Sequence, residues 1–388
     1  MDGNSVKGNR LMSLDALRGF DMFWIMGGEE LICTLAALFG FAEFGKSFGH
    51  VPWEGLQFMD TVFPTFLFMA GASFPFSAAK SLERGLTRGQ IARRALRRGL
   101  TLMVLGFIYW GFLKRLDFAT CRIPSVLGYI GFGWMVAAWI YLYVKSVKAR
   151  IGIAVGILAA VTLVFGFIPA PDAATVAVPD WDWVQGRGPF SPAGNLGCWL
   201  DRTVLGPHAL VRVCDDKHAL FDNEGFAGLL PTIVTAMLGM FAGEIVRRGG
   251  TKATGRKTVN LLVCAAACLM SGLALSMFYP IVKNLWSPSF VLVVGSYSFA
   301  MFALFYWIVD VKGFSRWSFF FRVIGMNSIT IYMAQQFVGF SSTSKFFLGG
   351  VAGLLPDLWG RLVLELGYIA ACWLFLLFLY RKNVFLKV

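Results

Sequence analysis

The stretch FMDTVFPTFLFMAGASFPFSAA, residues 58–79, decides the fold. Its one ionisable group is Asp60, at the start, and everything beyond is apolar or small. About 20 such residues in a helix match the hydrocarbon thickness of a bilayer, because a helix rises about 1.5 Å per residue. Lys80, Arg84, Arg88, Arg93, Arg94, Arg97 and Arg98 follow at once. An apolar window bounded by a basic cluster reads as a transmembrane span with its cytoplasmic flank.

The same reading extends along the chain. Of its 388 residues, 57% are hydrophobic, 16% aromatic and only 15% charged, and mean hydropathy is +0.65. A soluble domain carries about 25% charged residues, so lipid must cover much of this surface. Ten windows qualify as spans: residues 14–41, 58–79, 99–112, 123–144, 151–168, 229–246, 259–281, 289–309, 320–340 and 362–379. The expected fold is therefore an all-α polytopic membrane protein of about ten transmembrane helices. It forms a single transmembrane domain over residues 1–388, with one long extracytoplasmic loop at about 169–228. No cleavable signal peptide is expected, since the first apolar run is too long and lacks a small-residue cleavage site.

Net charge is +13. Its distribution argues for topology and against nucleic acid. Besides the 80–98 cluster, Lys145, Lys148, Arg150, Arg247, Arg248, Lys252, Arg256, Lys257, Lys312, Arg316, Arg322, Arg381, Lys382 and Lys387 all fall on one side of a ten-span model. That side is cytoplasmic by the positive-inside rule, as are both termini. The other side receives His50, the Cys121 loop, the 169–228 stretch, the turn at 283–288 and a loop at 347–359.

The 169–228 stretch is rich in Pro, Gly, Asp and Trp, including Pro179-Asp180-Trp181-Asp182-Trp183. Such content suits either sugar binding or an interfacial aromatic belt. Cys121, Cys198 and Cys214 face the same oxidising side, where one pair can close, Cys198 with Cys214 being the most local choice. No cysteine spacing fits zinc, and no metal is expected. Gly152/Gly156 and Gly239/Gly243 are GxxxG spacings expected to serve helix packing.

Ionisable groups within spans are expensive and therefore informative. Asp15 and Arg18 share a helix face as an expected ion pair. Asp21 follows, and Gly27-Gly28 beside Glu29-Glu30 suggests either an opened helix lining a polar cavity or a helix that ends early before a second short one. His50 lies at the mouth of the second span, ten residues before Asp60. Histidine titrates near neutral pH, which suits proton transfer.

The run His50-x-x-Trp53-x-Gly55-Leu56-x-x-x-Asp60-x-x-Phe63-Pro64-x-Phe66-x-Phe68-x-x-Gly71 resembles the heparan-α-glucosaminide N-acetyltransferase family and its bacterial members. Leu14-Asp15-x-x-Arg18-Gly19 precedes it. Arg122-Ile123-Pro124-x-Val126-Leu127, Asp201-Arg202 with His208, Asp222-x-Glu224-Gly225, Lys283-Asn284-Leu285-Trp286-Ser287 and Gly325-Met326-Asn327-Ser328-Ile329 follow in order. Together the matches span residues 14–332. The pattern departs in places: Gly27 stands near the family's Asn in the first span, extra residues separate that span from His50, and Gly128-Tyr129 stands where the family has a Gln-Arg.

The resemblance implies transfer of acetyl from cytoplasmic acetyl-CoA to the amine of glucosamine, or of a glucosamine-terminated saccharide, on the far side of the membrane. It matches the family's active histidine to His50. On that footing His50 is the expected general base, oriented by Asp60 if the intervening chain bends. Arg93, Arg94, Arg97 and Arg98 are candidates for the coenzyme A phosphates, or simply mark the cytoplasmic side, and Asn327 and Ser328 are candidates for the pantetheine or the oxyanion, or for hydrogen bonds between spans. Asp201, Arg202, His208, Asp222 and Glu224 are expected to grip the acceptor. Direct transfer and an acetyl-histidine intermediate stay open. So do a sugar permease without chemistry and an O-acetyltransferase acting on an envelope glycan. Expected partners are membrane lipid and the saccharide acceptor, with a homodimer left open. The expected location is a bacterial inner membrane.

Overall fold

A computed structural model of the chain describes residues 11–116, 118–119, 121–212, 219–248 and 254–386. Sixteen α-helices occur among them: α1 (Met12–Phe23), α2 (Glu29–Leu38), α3 (Ala42–Lys46), α4 (Phe58–Glu83), α5 (Arg88–Tyr109), α6 (Phe112–Arg115), α7 (Val126–Tyr143), α8 (Val147–Phe167), α9 (Leu196–Leu200), α10 (Phe226–Arg247), α11 (Gly255–Ser276), α12 (Pro288–Phe305), α13 (Phe319–Met326), α14 (Ser328–Phe337), α15 (Phe340–Gly353) and α16 (Asp357–Arg381). Strands are confined to a short antiparallel pair, Val211–Arg212 with Ala219–Phe221. The fold class is thus all-α, as hydropathy required.

Seven helices among the described residues are long and apolar enough to cross a membrane, against ten expected: α4, α7, α8, α10, α11, α12 extended to Val311, and α16. The other three expected windows fall on helices that are interrupted or charged. The first is broken by a π-helical turn at Trp24–Gly28, where Gly27 sits at φ +103. Glu29 and Glu30 then open α2, where carboxylates favour the helix N-terminus. The third window forms the second half of α5, whose first half carries the arginines. That cluster therefore lies on a helix and not in a loop. The ninth window is divided at Asn327 into α13 and α14. The loop expected at 347–359 is largely helical, since α15 runs to Gly353.

The chain divides into two compact units. The first holds residues up to Gly49, Glu244–Cys264 and the chain from Phe299 onward. Its closest crossing joins α1 to α13. A Cβ on Gly19 would lie 1.7 Å from the Phe321 carbonyl oxygen, and one on Gly325 would lie 1.9 Å from that of Asp15. Gly19 and Gly325, from the first and last of the runs that carry the resemblance, thus permit one backbone contact. Asp15 pairs with Arg18 at 3.6 Å. Asp21 is buried near the C-terminal end of α1.

The second unit holds His50–Gly243 and Ala265–Ser298. Its core is the crossing of α4 with α10. A Cβ on Gly239 would lie 1.9 Å from the Phe68 carbonyl oxygen, and one on Gly243 would lie 2.2 Å from that of Ala72. The Thr65 and Ser298 hydroxyls bond at 2.8 Å, and the Trp134 indole donates to the Ala70 carbonyl at 3.1 Å. Gly239/Gly243 therefore packs helices as expected. Among the described residues nothing outside its own helix lies within 4 Å of a Cβ built on Gly152 or Gly156, so no described helix packs on that pair.

Candidate active site

Helix α4 begins where its first turn can be capped from within. The Asp60 carboxylate accepts the Gln57 backbone N–H at 3.0 Å, a bond from the third helical residue back to the cap. That start forces residues 50–57 off the helix axis. Gly55, at φ +115, turns the segment so that its N–H donates to the Ile281 carbonyl at 2.8 Å. Glu54 and Val282 form an antiparallel bridge, and the Asn284 amide donates to the Pro52 carbonyl at 3.3 Å. The loop before α4 is thereby pinned to the turn before α12.

The fold-back brings three groups together. His50 Nδ1 lies 2.6 Å from Asp60 Oδ1. Lys283 Nζ lies 3.1 Å from the same oxygen and 2.9 Å from His50 Nδ1. The second Asp60 oxygen also accepts the Val51 N–H at 3.3 Å. The Asp60 side chain is 0% exposed, that of Lys283 19% and that of His50 49%. A carboxylate so buried requires compensation, which one ammonium, one imidazole N–H and two backbone N–H groups supply. Asp60 takes Nδ1–H, so the open nitrogen is Nε2. The chain bend required for Asp60 to meet His50 is present.

A second cluster sits at the start of α7 and before α10. Arg122 donates from Nε to Asp222 Oδ2 at 3.0 Å and from Nη2 to Oδ1 at 2.5 Å, and it also bonds Glu224. Its guanidinium lies 4.2 Å from the Trp110 ring centre. Asp222 further accepts the N–H groups of Leu210 and Glu224, at 2.7 and 2.9 Å. Asp201 accepts those of Phe226 and Asp222, at 2.8 and 3.1 Å. Burial pushes the Asp201 carboxyl up to about 7, against those two bonds. Burial also raises Glu224, against Arg122 and the charge of Lys283. For Arg122 burial works downward, but Asp222 and Glu224 outweigh it and raise the guanidinium. The clusters are linked: Lys283 acts on both Glu224 and Asp60, and Trp286 packs against Phe63 and Tyr129, with ring centres 5.1 and 5.5 Å apart. The Tyr129 hydroxyl donates to the Gly225 carbonyl.

The other expected site residues are dispersed. Arg202 spends its guanidinium on Asp172, at 2.6 and 2.9 Å, and on the carbonyls of Pro192, Ala193 and Leu220. His208 Nδ1 bonds the Cys121 carbonyl at 2.8 Å. Arg93, Arg94 and Arg97 are exposed on α5, while Arg98 stacks 4.3 Å from the Trp134 ring centre. Asn327 and Ser328 belong to the first unit. There Asn327 donates to the Val384 carbonyl at 3.0 Å and accepts from the Leu386 N–H at 3.4 Å. In the long loop, Trp183 stacks between Trp53 and Trp181, at 6.3 and 5.3 Å, and only Trp181 is exposed. Cys121 and Cys198 carry free thiols, and burial raises that of Cys198. Cys214, Lys252 and Lys387 lie outside the described residues.

Three members of these clusters were not among the expected site residues: Lys283, Arg122 and Tyr129. The first two stood inside recurring runs, Lys283-Asn284-Leu285-Trp286-Ser287 and Arg122-Ile123-Pro124, each as a lone cation on the side with few. That isolation was the available signal.

No protein-family model matches the chain. Among curated proteins it is 28% identical over 364 residues to heparan-alpha-glucosaminide N-acetyltransferase of Homo sapiens, covering 84% of this chain and 53% of that protein. It is also 28% identical over 368 residues to the Mus musculus protein of the same name, with the same coverage. The chain spans about half the length of these relatives. The helical membrane fold and the aligned share agree: this chain stands in a distant, family-level relationship to heparan-alpha-glucosaminide N-acetyltransferase.

Proposed function

We propose that this chain is a transmembrane acetyltransferase. It moves acetyl from acetyl-CoA on the cytoplasmic side to the amine of glucosamine, or of a glucosamine-terminated saccharide, on the other side. The observation that carries this reading is the His50–Asp60–Lys283 cluster: a half-exposed imidazole whose Nδ1 is held 2.6 Å from a fully buried carboxylate. Asp60 orients the ring and favours the tautomer with its lone pair on Nε2, as the third group of a nucleophile–base system does.

In the proposed reaction the acceptor nitrogen adds to the thioester carbonyl. A C–N bond forms, and the carbonyl electrons move to oxygen. Nε2 of His50 accepts the proton that the nitrogen loses. Collapse of the tetrahedral intermediate re-forms the carbonyl and breaks the C–S bond. Coenzyme A leaves as a thiolate, which recovers a proton from His50. The Lys283 ammonium beside the imidazole supplies positive charge where the intermediate is anionic. Arg93, Arg94, Arg97 and Arg98, exposed or half-buried on one stretch of α5, suit the coenzyme A phosphates. Asn327 and Ser328 are proposed to contact the donor, and Asp201, Arg202, His208, Asp222 and Glu224 to shape the acceptor side, chiefly by holding the loop. The proposed setting is a bacterial inner membrane.

The test is thioester turnover by the purified protein with glucosamine, followed as coenzyme A release, for wild type and His50→Ala. Loss of a general base costs roughly 10²–10⁴-fold. The variant should fall by that factor while still binding acetyl-CoA, and wild-type activity should decline at acidic pH as imidazole becomes imidazolium. A folded His50→Ala protein that transfers acetyl at the wild-type rate sinks the assignment. Turnover with hydroxyl sugars alone would make the enzyme an O-acetyltransferase. Glucosamine flux without coenzyme A release would make it a permease.

A further inference from the structure

One cavity of the second unit is lined, Glu224 apart, by residues to which the reaction proposed above gives no role. It encloses about 470 Å³ beside Glu224. Val104 and Phe107 reach it from α5, Gly128 and Phe132 from α7, and Leu229 from α10. Spacings of three and four put each helical pair on one face. Gly128 keeps the space open, since a Cβ there would meet only the Ser125 hydroxyl, at 3.1 Å. Water does not fill such a space, because a buried water needs two to four polar partners and these walls offer almost none.

The lining of the cavity is not uniform. Val104 and Ile123 are 57% and 51% exposed, apolar residues that a membrane-spanning chain turns toward lipid. Glu224 and Tyr129 also line it. Tyr129 packs with its ring centre 5.5 Å from that of Trp286, in the turn that carries Lys283, whose ammonium bonds Asp60 and lies 2.9 Å from His50 Nδ1. The cavity thus joins a lipid-facing rim to a wall, Tyr129, that packs against the turn carrying Lys283. On the scale at which about 150 Å³ holds a benzene, it accommodates an alkyl chain of roughly ten to eighteen carbons.

We propose that this cavity binds the apolar tail of an amphipathic acceptor, an amino sugar carried on an alkyl or isoprenoid chain, which enters sideways from the bilayer with its amine toward His50. The inference rests on the acetyltransferase reading for the identity of the head group. The tail site stands on the cavity alone.

The experiment uses the full chain in nanodiscs without acetyl-CoA, together with octyl glucosaminide bearing a diazirine at the end of its chain. Photolabels should concentrate on the segments of α5, α7 and α10 that line the cavity, and excess unlabelled octyl glucosaminide should displace them. Gly128→Leu and Val104→Trp, which fill the space from two helices, should each reduce the labelling. In turnover, KM for octyl glucosaminide should lie roughly tenfold below that for methyl glucosaminide. Within each filled variant that ratio should fall toward one. Labels spread evenly over the lipid-facing helices would overturn the proposal. So would cavity labelling by a diazirine phosphatidylcholine that octyl glucosaminide does not displace, since the space would then be a groove for bulk lipid. Displaceable labelling without any acetyl transfer supports the tail site and counts against the acetyltransferase. Transfer to free glucosamine without labelling counts only against the tail site.

Discussion

At the scale of the residue, Asp60 has two duties. One oxygen accepts the backbone N–H groups of Gln57 and Val51, while the other meets His50 and Lys283. Asp60→Asn keeps an oxygen for the backbone but removes the charge that orients the imidazole. Activity with glucosamine should then drop about tenfold or more in kcat, with KM for acetyl-CoA unchanged. A purely structural role would instead lower the amount of folded enzyme and leave kcat per folded molecule intact. Asp201 offers a pH test. Its folded pKa of about 7 lies above the unfolded value of about 3.9, so the folded state binds more protons between those limits. The stability it contributes is therefore fully present below about pH 4 and is lost as pH rises through 7, at no more than about 1.4 kcal/mol per pH unit. Melting of wild type should decline more steeply from pH 4 to 7 than melting of Asp201→Asn. Parallel curves would show that the carboxyl does not titrate in this window.

At the scale of the element, the α4–α10 crossing rests on an absence of side chains. Leucine at Gly239 would place its Cβ 1.9 Å from the Phe68 carbonyl oxygen, and backbone cannot yield there as a flexible side chain can. Gly239→Leu should lower the melting temperature sharply or abolish folding in detergent size-exclusion profiles. A Cβ built on Gly152 of α8 meets nothing described outside its own helix within 4 Å, and Gly152→Leu should leave the profile unchanged. Equal effects would remove the crossing from the account of stability. Both glycine pairs have the same spacing, and spacing alone promised packing for both. What separates them is the neighbour: α4 lies against one, and no described helix packs on the other.

At the scale of the whole molecule, the basic residues argue for one orientation in the membrane. A cysteine introduced at Arg88, the first residue of α5, should react with an impermeant maleimide only from the cytoplasmic side. One at Asp180 in the long loop should react only from the other side. Reaction of both from one side would overturn the alternation. Composition and hydropathy sufficed for the class of the protein, since a chain with 15% charged residues has too little polar surface for water. Span number was less legible. Apolar content records where lipid is met, but not where Gly27 or Asn327 breaks a helix.

The order of residues by itself named His50 and Asp60, because two ionisable groups at the mouth of an apolar span are costly and therefore conspicuous. It also ruled out a soluble fold and marked the basic face. Their meeting, however, depended on tertiary structure. Ten residues apart on a continuous helix they could not touch; the turn at Gly55 and the pairing of Glu54 with Val282 fold the chain back. Only that pairing brings in Lys283, more than two hundred residues away, whose ammonium completes the cluster. The long loop gives the same lesson. Arg202 and Asp222 were expected to grip a sugar; the fold gives Arg202 the carboxylate of Asp172 and gives Asp222 the guanidinium of Arg122, a hundred residues away. Charge and hydropathy are local quantities that a sequence states directly. Which buried charge meets which partner is settled by packing between distant segments.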